Sequence, residues 1–158
     1  MTDWDRRVQD DFRYKKPTED NVSQIIDYLR EWLDAGAPSI LIHCAAGMYR
    51  SVVTSLIAHS LVTRSPIVSG TRVVMAGWGK IDSNWETARV ADQIIGFDGK
   101  LHSTVVNIQR AEKERNQLLS KGAGLEDVLD AIMDIFQNPW DEEQTATHFN
   151  YGYYQIEF

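Results

Sequence analysis

The sequence predicts an α/β protein in which a small parallel sheet is flanked by helices and the C-terminal half is mostly helical. An apolar run of strand length, Ser39–His43, lies between two stretches whose apolar residues have helical spacing. A short turn containing Gly36 and Pro38 joins the first of these helices to the apolar run. A fully apolar strand between helices is typical of a buried position in a parallel sheet. The 158 residues suit one domain with one core.

The first helix has clear signals at both ends. Thr18 is a suitable N-cap, and Glu19 and Asp20 place negative charge in the first turn. Gly36 ends the helix, and Pro38 prevents it from continuing. The residues expected to form its buried stripe are Val22, Ile25, Ile26, Leu29 and Leu33.

A second helix is predicted from Arg50, with the sequence Arg64-Ser65-Pro66 at its end. Its apolar face is expected to carry Val52, Val53, Leu56, Ile57 and Leu61. Residues 67–83 fit either a short helix at Thr71–Ala76 or a loop. Near the N-terminus, Trp4–Val8 is a second candidate strand.

Three helices are predicted in the C-terminal half, over about 83–96, 101–118 and 125–136. Pro139 is expected to end regular structure, and an aromatic tail follows it. We therefore divide the chain into a main domain, 1–121, and an acidic helix with its tail, 122–158, that packs on this domain or extends from it.

Charge is distributed unevenly along the chain. The net charge is −7, from 16 Lys and Arg against 23 Asp and Glu, yet eight of these carboxylates follow residue 121 without a single Lys or Arg. The first 121 residues are therefore nearly neutral. An acidic C-terminal segment argues against nucleic-acid binding of the simple electrostatic kind, so no nucleic-acid partner is expected.

Hydropathy and cysteine content indicate the cellular compartment in which the protein is expected. There is no run of about 18 apolar residues, so no membrane span is expected. The single cysteine cannot form an internal disulfide, and a reactive thiol needs a reducing compartment. We therefore expect a cytoplasmic protein.

The loop between the apolar run and the second helix combines two chemical features. Cys44 follows the apolar run, and Arg50 lies six positions later at the start of the helix. A strand–loop–helix junction gathers inward-pointing N–H groups, and the first helical turn adds partial positive charge. Together with a guanidinium fork, these groups can hold an oxyanion such as phosphate. The same field is expected to lower the pKa of the Cys44 thiol and make it a nucleophile.

The sequence His43-Cys44-x5-Arg50-Ser51, with Gly47 inside the loop, resembles the signature of cysteine-based protein tyrosine and dual-specificity phosphatases. The helix and apolar run before the loop resemble the lead-in of small bacterial and phage-type members. The stretch from Asn84 to Leu101 resembles their C-terminal helical portion. The likeness covers roughly residues 8–108, with the loop as its specific part.

The resemblance implies a role for each loop residue. Cys44 would attack phosphorus and form a phosphocysteine intermediate, and Arg50 would hold two phosphate oxygens in the transition state. Ser51 would donate a hydrogen bond to the departing thiolate, and His43 would order the loop. The residues implied to surround the phosphate, mainly through backbone N–H groups, are Ala45, Ala46, Gly47, Met48, Tyr49 and Arg50.

The resemblance also implies an aspartate upstream that protonates the leaving oxygen and then activates water. Asp11 lies 33 residues before Cys44 and is our first candidate, with Asp10 next to it as the second. A solvated surface turn is an equally good explanation of this aspartate pair. The chemistry needs no cofactor, and the scattered residues His59, His102 and His148 lack the spacing of a metal site.

The chain departs from the family pattern in two places. Family members have two or more strands before the acid loop, whereas at most two candidate strands are visible in the whole chain. The exposed edge of so small a sheet would be covered by the C-terminal helix and tail or by a homodimer. Tyr49 stands where a small residue is more usual, and it would either line the entrance or partly block it.

Three functions stay open at this point. The first is hydrolysis of phosphomonoesters. Its substrate would be a phosphorylated protein, mainly at phosphotyrosine and also at phosphoserine or phosphothreonine, or a small phosphoester. The second is a pseudo-phosphatase that binds phosphorylated partners without turnover. The third is an RNA 5′-phosphatase, against which the acidic tail argues.

Overall fold

A computed structural model of the chain describes residues 17–44, 50–77 and 85–148. Within these ranges the chain forms seven helices and no strand. The helices are α1 (Glu19–Asp34), α2 (Arg50–Thr63), α3 (Pro66–Met75), α4 (Trp85–Ile95), α5 (Lys100–Ser120), α6 (Leu125–Gln137) and α7 (Glu142–His148).

The predicted α/β fold with a parallel sheet is wrong. The described part of the chain is all-helical, and Ser39–His43 is an irregular segment between α1 and α2. A strand requires a partner that completes its hydrogen bonds, and no described segment pairs with this one. The other candidate strand, Trp4–Val8, lies outside the described residues.

Helix α5 forms the centre of the molecule. It packs against α2, α3, α4, α6 and α7, whereas α1 packs against α2 and α4. The core is continuous from α1 to α6, and its largest fully buried side chains include Ile26, Leu56, Leu101, Ile108 and Ile132. Removing these apolar surfaces from water is the main source of stability in such a bundle. The predicted acidic segment therefore contributes to the same core through α6.

The predicted first helix is confirmed, together with its N-cap, but Ile25 of its expected buried stripe is exposed. The Thr18 side chain accepts a hydrogen bond from the backbone N–H of Asn21 at 3.2 Å. At the other end, the backbone N–H of Gly36, with φ of +88°, donates to Leu33. These local signals fix where α1 begins and ends.

Helix α3 is longer than the predicted Thr71–Ala76 alternative. It begins at Pro66, and the Ser65 side chain caps it by accepting from the N–H of Val68 at 3.3 Å. Gly70 lies inside this helix, where an added Cβ would lie 2.4 Å from Cγ2 of Thr104 on α5. The absence of a side chain at Gly70 lets α3 and α5 approach closely.

Asp92 holds the corner between α4 and α5. Its side chain is 4% exposed and accepts hydrogen bonds from three backbone N–H groups. These donors are Gly99 at 2.8 Å, Leu101 at 2.6 Å and His102 at 3.0 Å. A carboxylate at the start of α5 satisfies donors that have no partner within the helix and complements the helix dipole.

The prediction that regular structure ends at Pro139 is wrong, because α7 follows it. Asn107 on α5 donates to the carbonyl of Trp140 at 2.8 Å and accepts from its N–H at 2.9 Å. The Arg110 guanidinium lies 4.3 Å from the Trp140 ring centroid, and His102 Nε2 lies 2.7 Å from a Glu142 oxygen. Side chains of α5 therefore hold the start of α7 in place.

None of the described helices is both long enough and apolar enough to cross a lipid bilayer.

Candidate active site

The segment from Ser39 to Cys44 brings the cysteine to the N-terminal end of α2. Exposure alternates along it: Leu41 is 86% exposed, whereas Ile40 and Ile42 are partly buried and pack against the core. Cys44 continues this alternation and is partly buried. The segment therefore lies on the helical core with one side, which includes the cysteine, turned inward.

Cys44 and Ser51 are in contact. Their Sγ and Oγ atoms are 3.4 Å apart, within the range of a hydrogen bond to sulfur. Ser51 is the second residue of α2 and is only 8% exposed. Since a hydroxyl can either accept from a thiol or donate to a thiolate, this geometry serves both protonation states of Cys44.

The position of Cys44 near the first turn of α2 has an electrostatic consequence. The first N–H groups of a helix have no partner within it and carry partial positive charge. A thiolate or a bound oxyanion is stabilised at such a place. No Asp or Glu lies in the first turn of α2 to compete for these groups.

Arg50 is the first residue of α2, and its side chain is exposed. Its guanidinium forms no ion pair with any residue that the structure describes. Its backbone carbonyl accepts a hydrogen bond from the Thr54 hydroxyl at 2.8 Å, which belongs to the following turn. The backbone at Arg50 is thus fixed in the helix while the guanidinium is accessible to an anion.

His43 is exposed, and it makes no hydrogen bond with another described side chain. Its predicted role in ordering the loop stays a prediction. The five loop residues between Cys44 and Arg50 lie outside the described residues, as do both acid candidates, Asp11 and Asp10. The structure thus brings together Cys44, Ser51 and the start of α2.

Within the described ranges, no group of three His, Cys, Asp or Glu side chains is placed to hold a metal ion. This end of α2 carries the Ser51 hydroxyl in contact with the Cys44 thiol and, on the first residue of the helix, the exposed Arg50 guanidinium. This combination suits nucleophilic attack on an anionic ester, with the negative charge balanced by the arginine and the helix N-terminus.

Sequence reasoning gave no role to Trp32, yet its side chain contacts Pro38, directly before the segment that carries Cys44. The indole Nε1–H donates to the Pro38 carbonyl at 2.6 Å. The signal in the sequence is a tryptophan in the last turn of a helix, just before a Gly-Ala-Pro turn. That signal is too general to identify the contact.

No family model matches the sequence, and no curated protein or solved structure is significantly similar to it. The likeness to cysteine-based phosphatases therefore depends on the types and spacing of the loop residues. The described part of the chain is all-helical, unlike the α/β fold that this likeness implies.

Proposed function

We propose that the chain is a cysteine-dependent phosphomonoesterase that acts on phosphotyrosine in proteins through a phosphocysteine intermediate. The observation that carries this proposal is the 3.4 Å contact between Cys44 Sγ and Ser51 Oγ at the start of α2. It supports the proposal because a thiol lies beside a hydroxyl that could donate to its thiolate, near the positive end of a helix, where a thiolate nucleophile would be stabilised.

In the first step, the Cys44 thiolate attacks phosphorus, and the bond between phosphorus and the leaving oxygen breaks. The leaving oxygen takes a proton from a carboxylic acid, for which Asp11 is the first candidate and Asp10 the second. Arg50 balances the charge on the phosphoryl oxygens, and its planar fork can bind two of them. The product is a phosphocysteine and a free alcohol or phenol.

In the second step, water attacks the phosphocysteine and the sulfur–phosphorus bond breaks. The carboxylate formed in the first step takes a proton from this water. The thiolate departs, and the Ser51 hydroxyl stabilises it by donating a hydrogen bond. Inorganic phosphate leaves, and the protonated acid and the thiolate are ready for another cycle.

The proposal places the protein in a reducing compartment such as the cytoplasm, because the thiolate would otherwise be oxidised. It requires no cofactor. The described acidic surface of α6 and α7, which has no Lys or Arg, favours protein or small-molecule substrates over RNA.

Hydrolysis of p-nitrophenyl phosphate in the presence of EDTA tests this function. Wild type is expected to release p-nitrophenol, and Cys44→Ser is expected to lose this activity entirely. Equal activity of the two proteins would contradict the proposal. An inactive wild type that binds vanadate would instead identify a phosphate-binding module without turnover.

A further inference from the structure

We propose that Trp32 is a positioning residue for Cys44, because it fixes the start of the segment that carries the cysteine to α2. Two hydrogen bonds connect Trp32 to the turn after α1. Its indole Nε1–H donates to the Pro38 carbonyl at 2.6 Å, and its own backbone carbonyl accepts from the N–H of Ala37 at 3.0 Å. Trp32 is also packed against the core, so its ring is a firm anchor.

The residue between these two hydrogen bonds has a strained backbone. Ala37 has φ of +48°, a left-handed conformation that residues with a Cβ rarely adopt. Such a conformation persists only where the surroundings determine it. Here the surroundings include the two hydrogen bonds to Trp32. The N–H of Ala37 itself makes one of them, and the carbonyl of the next residue, Pro38, makes the other.

The position of the segment after this turn depends on several kinds of contact, which include side-chain burial, the contact of Cys44 with Ser51 and the hydrogen bonds to Trp32. No described strand pairs with it, so no ladder of backbone hydrogen bonds fixes its register. The burial of Ile40 and Ile42 decides which side faces the core. The hydrogen bond from the Trp32 indole to the Pro38 carbonyl adds a directional restraint directly before the segment.

A shift of this segment would move Cys44 relative to Ser51 and to the first turn of α2. The stabilising effect of a helix N-terminus falls off within one turn, and a displacement of about 1 Å can cost 10²-fold in rate. Trp32 therefore acts on the reaction through the position of Cys44, without contact with the substrate. Its effect on turnover rests on the proposed function, but its effect on the cysteine does not.

The test compares Trp32→Phe with wild type and with Trp140→Phe. Trp32→Phe keeps an aromatic ring against the core and removes the N–H donor. Trp140→Phe makes the same chemical change beside α5, where the ring contacts Arg110. Two readouts are used: the rate of iodoacetamide alkylation of Cys44 across a pH series, and kcat and KM for p-nitrophenyl phosphate.

In Trp32→Phe, the pH profile of Cys44 alkylation is expected to shift to higher pH, because the displaced thiolate is less stabilised by the helix N-terminus. The kcat is expected to fall about 10-fold with little change in KM, because a displaced thiol loses contacts in the transition state. Trp140→Phe is expected to match wild type in both readouts. An alkylation profile for Trp32→Phe that coincides with wild type would overturn the proposal. If wild type hydrolyses nothing, the proposed function fails, and the alkylation profile alone decides on Trp32.

Circular dichroism checks that each variant is folded. If Trp32→Phe does not fold, β-(3-benzothienyl)alanine is placed at position 32, since it keeps the shape of the indole and replaces the N–H by sulfur. The same shift of the alkylation profile is expected, and an unshifted profile would overturn the proposal.

Discussion

The Sγ atom of Cys44 lies 3.4 Å from the Oγ atom of Ser51. The two residues belong to different segments, because Cys44 is in the irregular stretch after α1 and Ser51 lies in the first turn of α2. Ser51 is almost fully buried, so its hydroxyl has few alternative partners in water. The candidate site therefore has a hydroxyl in direct contact with its thiol.

Removing the Ser51 hydroxyl is expected to slow the release of the thiolate. Ser51→Ala should lower kcat for p-nitrophenyl phosphate by about 10- to 10²-fold, the size of one hydrogen bond to a charged group. Because the second chemical step is affected most, stopped-flow measurement should show a burst of p-nitrophenol followed by a slow steady state. A variant with the kcat of wild type would remove Ser51 from the mechanism.

Ser60→Ala is a matched control on the same helix. The Ser60 hydroxyl is fully buried and has no hydrogen-bond partner among the described residues. Its removal should leave hydrolysis unchanged, and the free energy of unfolding should stay the same or increase, because an unsatisfied buried hydroxyl is lost.

Asp92→Asn is expected to destabilise the protein without a direct effect on chemistry. The carboxylate accepts three backbone N–H groups at the start of α5, and an amide offers only one oxygen. The free energy of unfolding, from urea denaturation, should fall by about 2–3 kcal/mol, the size of one or two hydrogen bonds to a charged group.

Asp98→Asn provides the comparison for Asp92. Asp98 is exposed with φ of +54°, a conformation that asparagine adopts at least as readily as aspartate. Its free energy of unfolding should stay within about 0.5 kcal/mol of wild type. Equal losses in the two variants would contradict the capping role of Asp92.

Gly70→Ala should destabilise the contact between α3 and α5. The new Cβ would lie 2.4 Å from Thr104 Cγ2 and 3.1 Å from Cζ of Phe136. Overpacking of this kind costs about 1–3 kcal/mol, which outweighs the gain in helix propensity of up to about 1 kcal/mol. Thr104→Ser removes the closer methyl group, so the double variant should recover part of the loss in urea denaturation. No recovery would show that the methyl group is not the obstacle.

Stability should decrease below about pH 6.5 because of His59. Burial and the charge of Arg72 lower the pKa of His59 below its ordinary value of 6.5. As the pH falls through 6.5, the unfolded chain therefore binds a proton that the folded chain does not, and the free energy of unfolding falls. The decrease ends where the folded ring also becomes protonated.

The contacts of His59 agree with a neutral ring in the folded protein. Arg72 Nη1 can only donate, so His59 Nε2 accepts from it at 3.1 Å, and Nδ1–H donates to Ser69 Oγ at 2.8 Å. Urea midpoints measured on both sides of pH 6.5 should differ less in His59→Asn than in wild type. The same pH dependence in both proteins would assign it to other groups.

The helices of the described chain were largely predictable from the sequence because their signals are local. Thr18 caps α1 through a residue three positions away, and apolar spacing marks the faces that meet in the core. The prediction of a strand at Ser39–His43 was wrong. A run of apolar residues indicates burial, and Ile40 and Ile42 are indeed partly buried. Burial of alternate residues does not supply a partner strand.

The contacts missed by sequence reasoning depend on residues far apart in the chain. Helix α7 is held by Asn107, which lies 33 residues before Trp140. For the candidate site, motif spacing pointed to Cys44, Arg50 and Ser51, and the structure places Cys44 and Ser51 together at the start of α2. The contact of Trp32 with Pro38 could not be predicted without the geometry of the turn, because nothing in the residue types singles out that pair.

The phosphocysteine itself offers the most direct test of the central claim. Wild type is mixed with p-nitrophenyl phosphate, quenched within one turnover, digested and examined by mass spectrometry. The peptide containing Cys44 is expected to gain the mass of one phosphoryl group, and this adduct is expected to accumulate further in Ser51→Ala. Turnover without any phosphoryl group on Cys44 in either protein would contradict catalysis through a phosphocysteine.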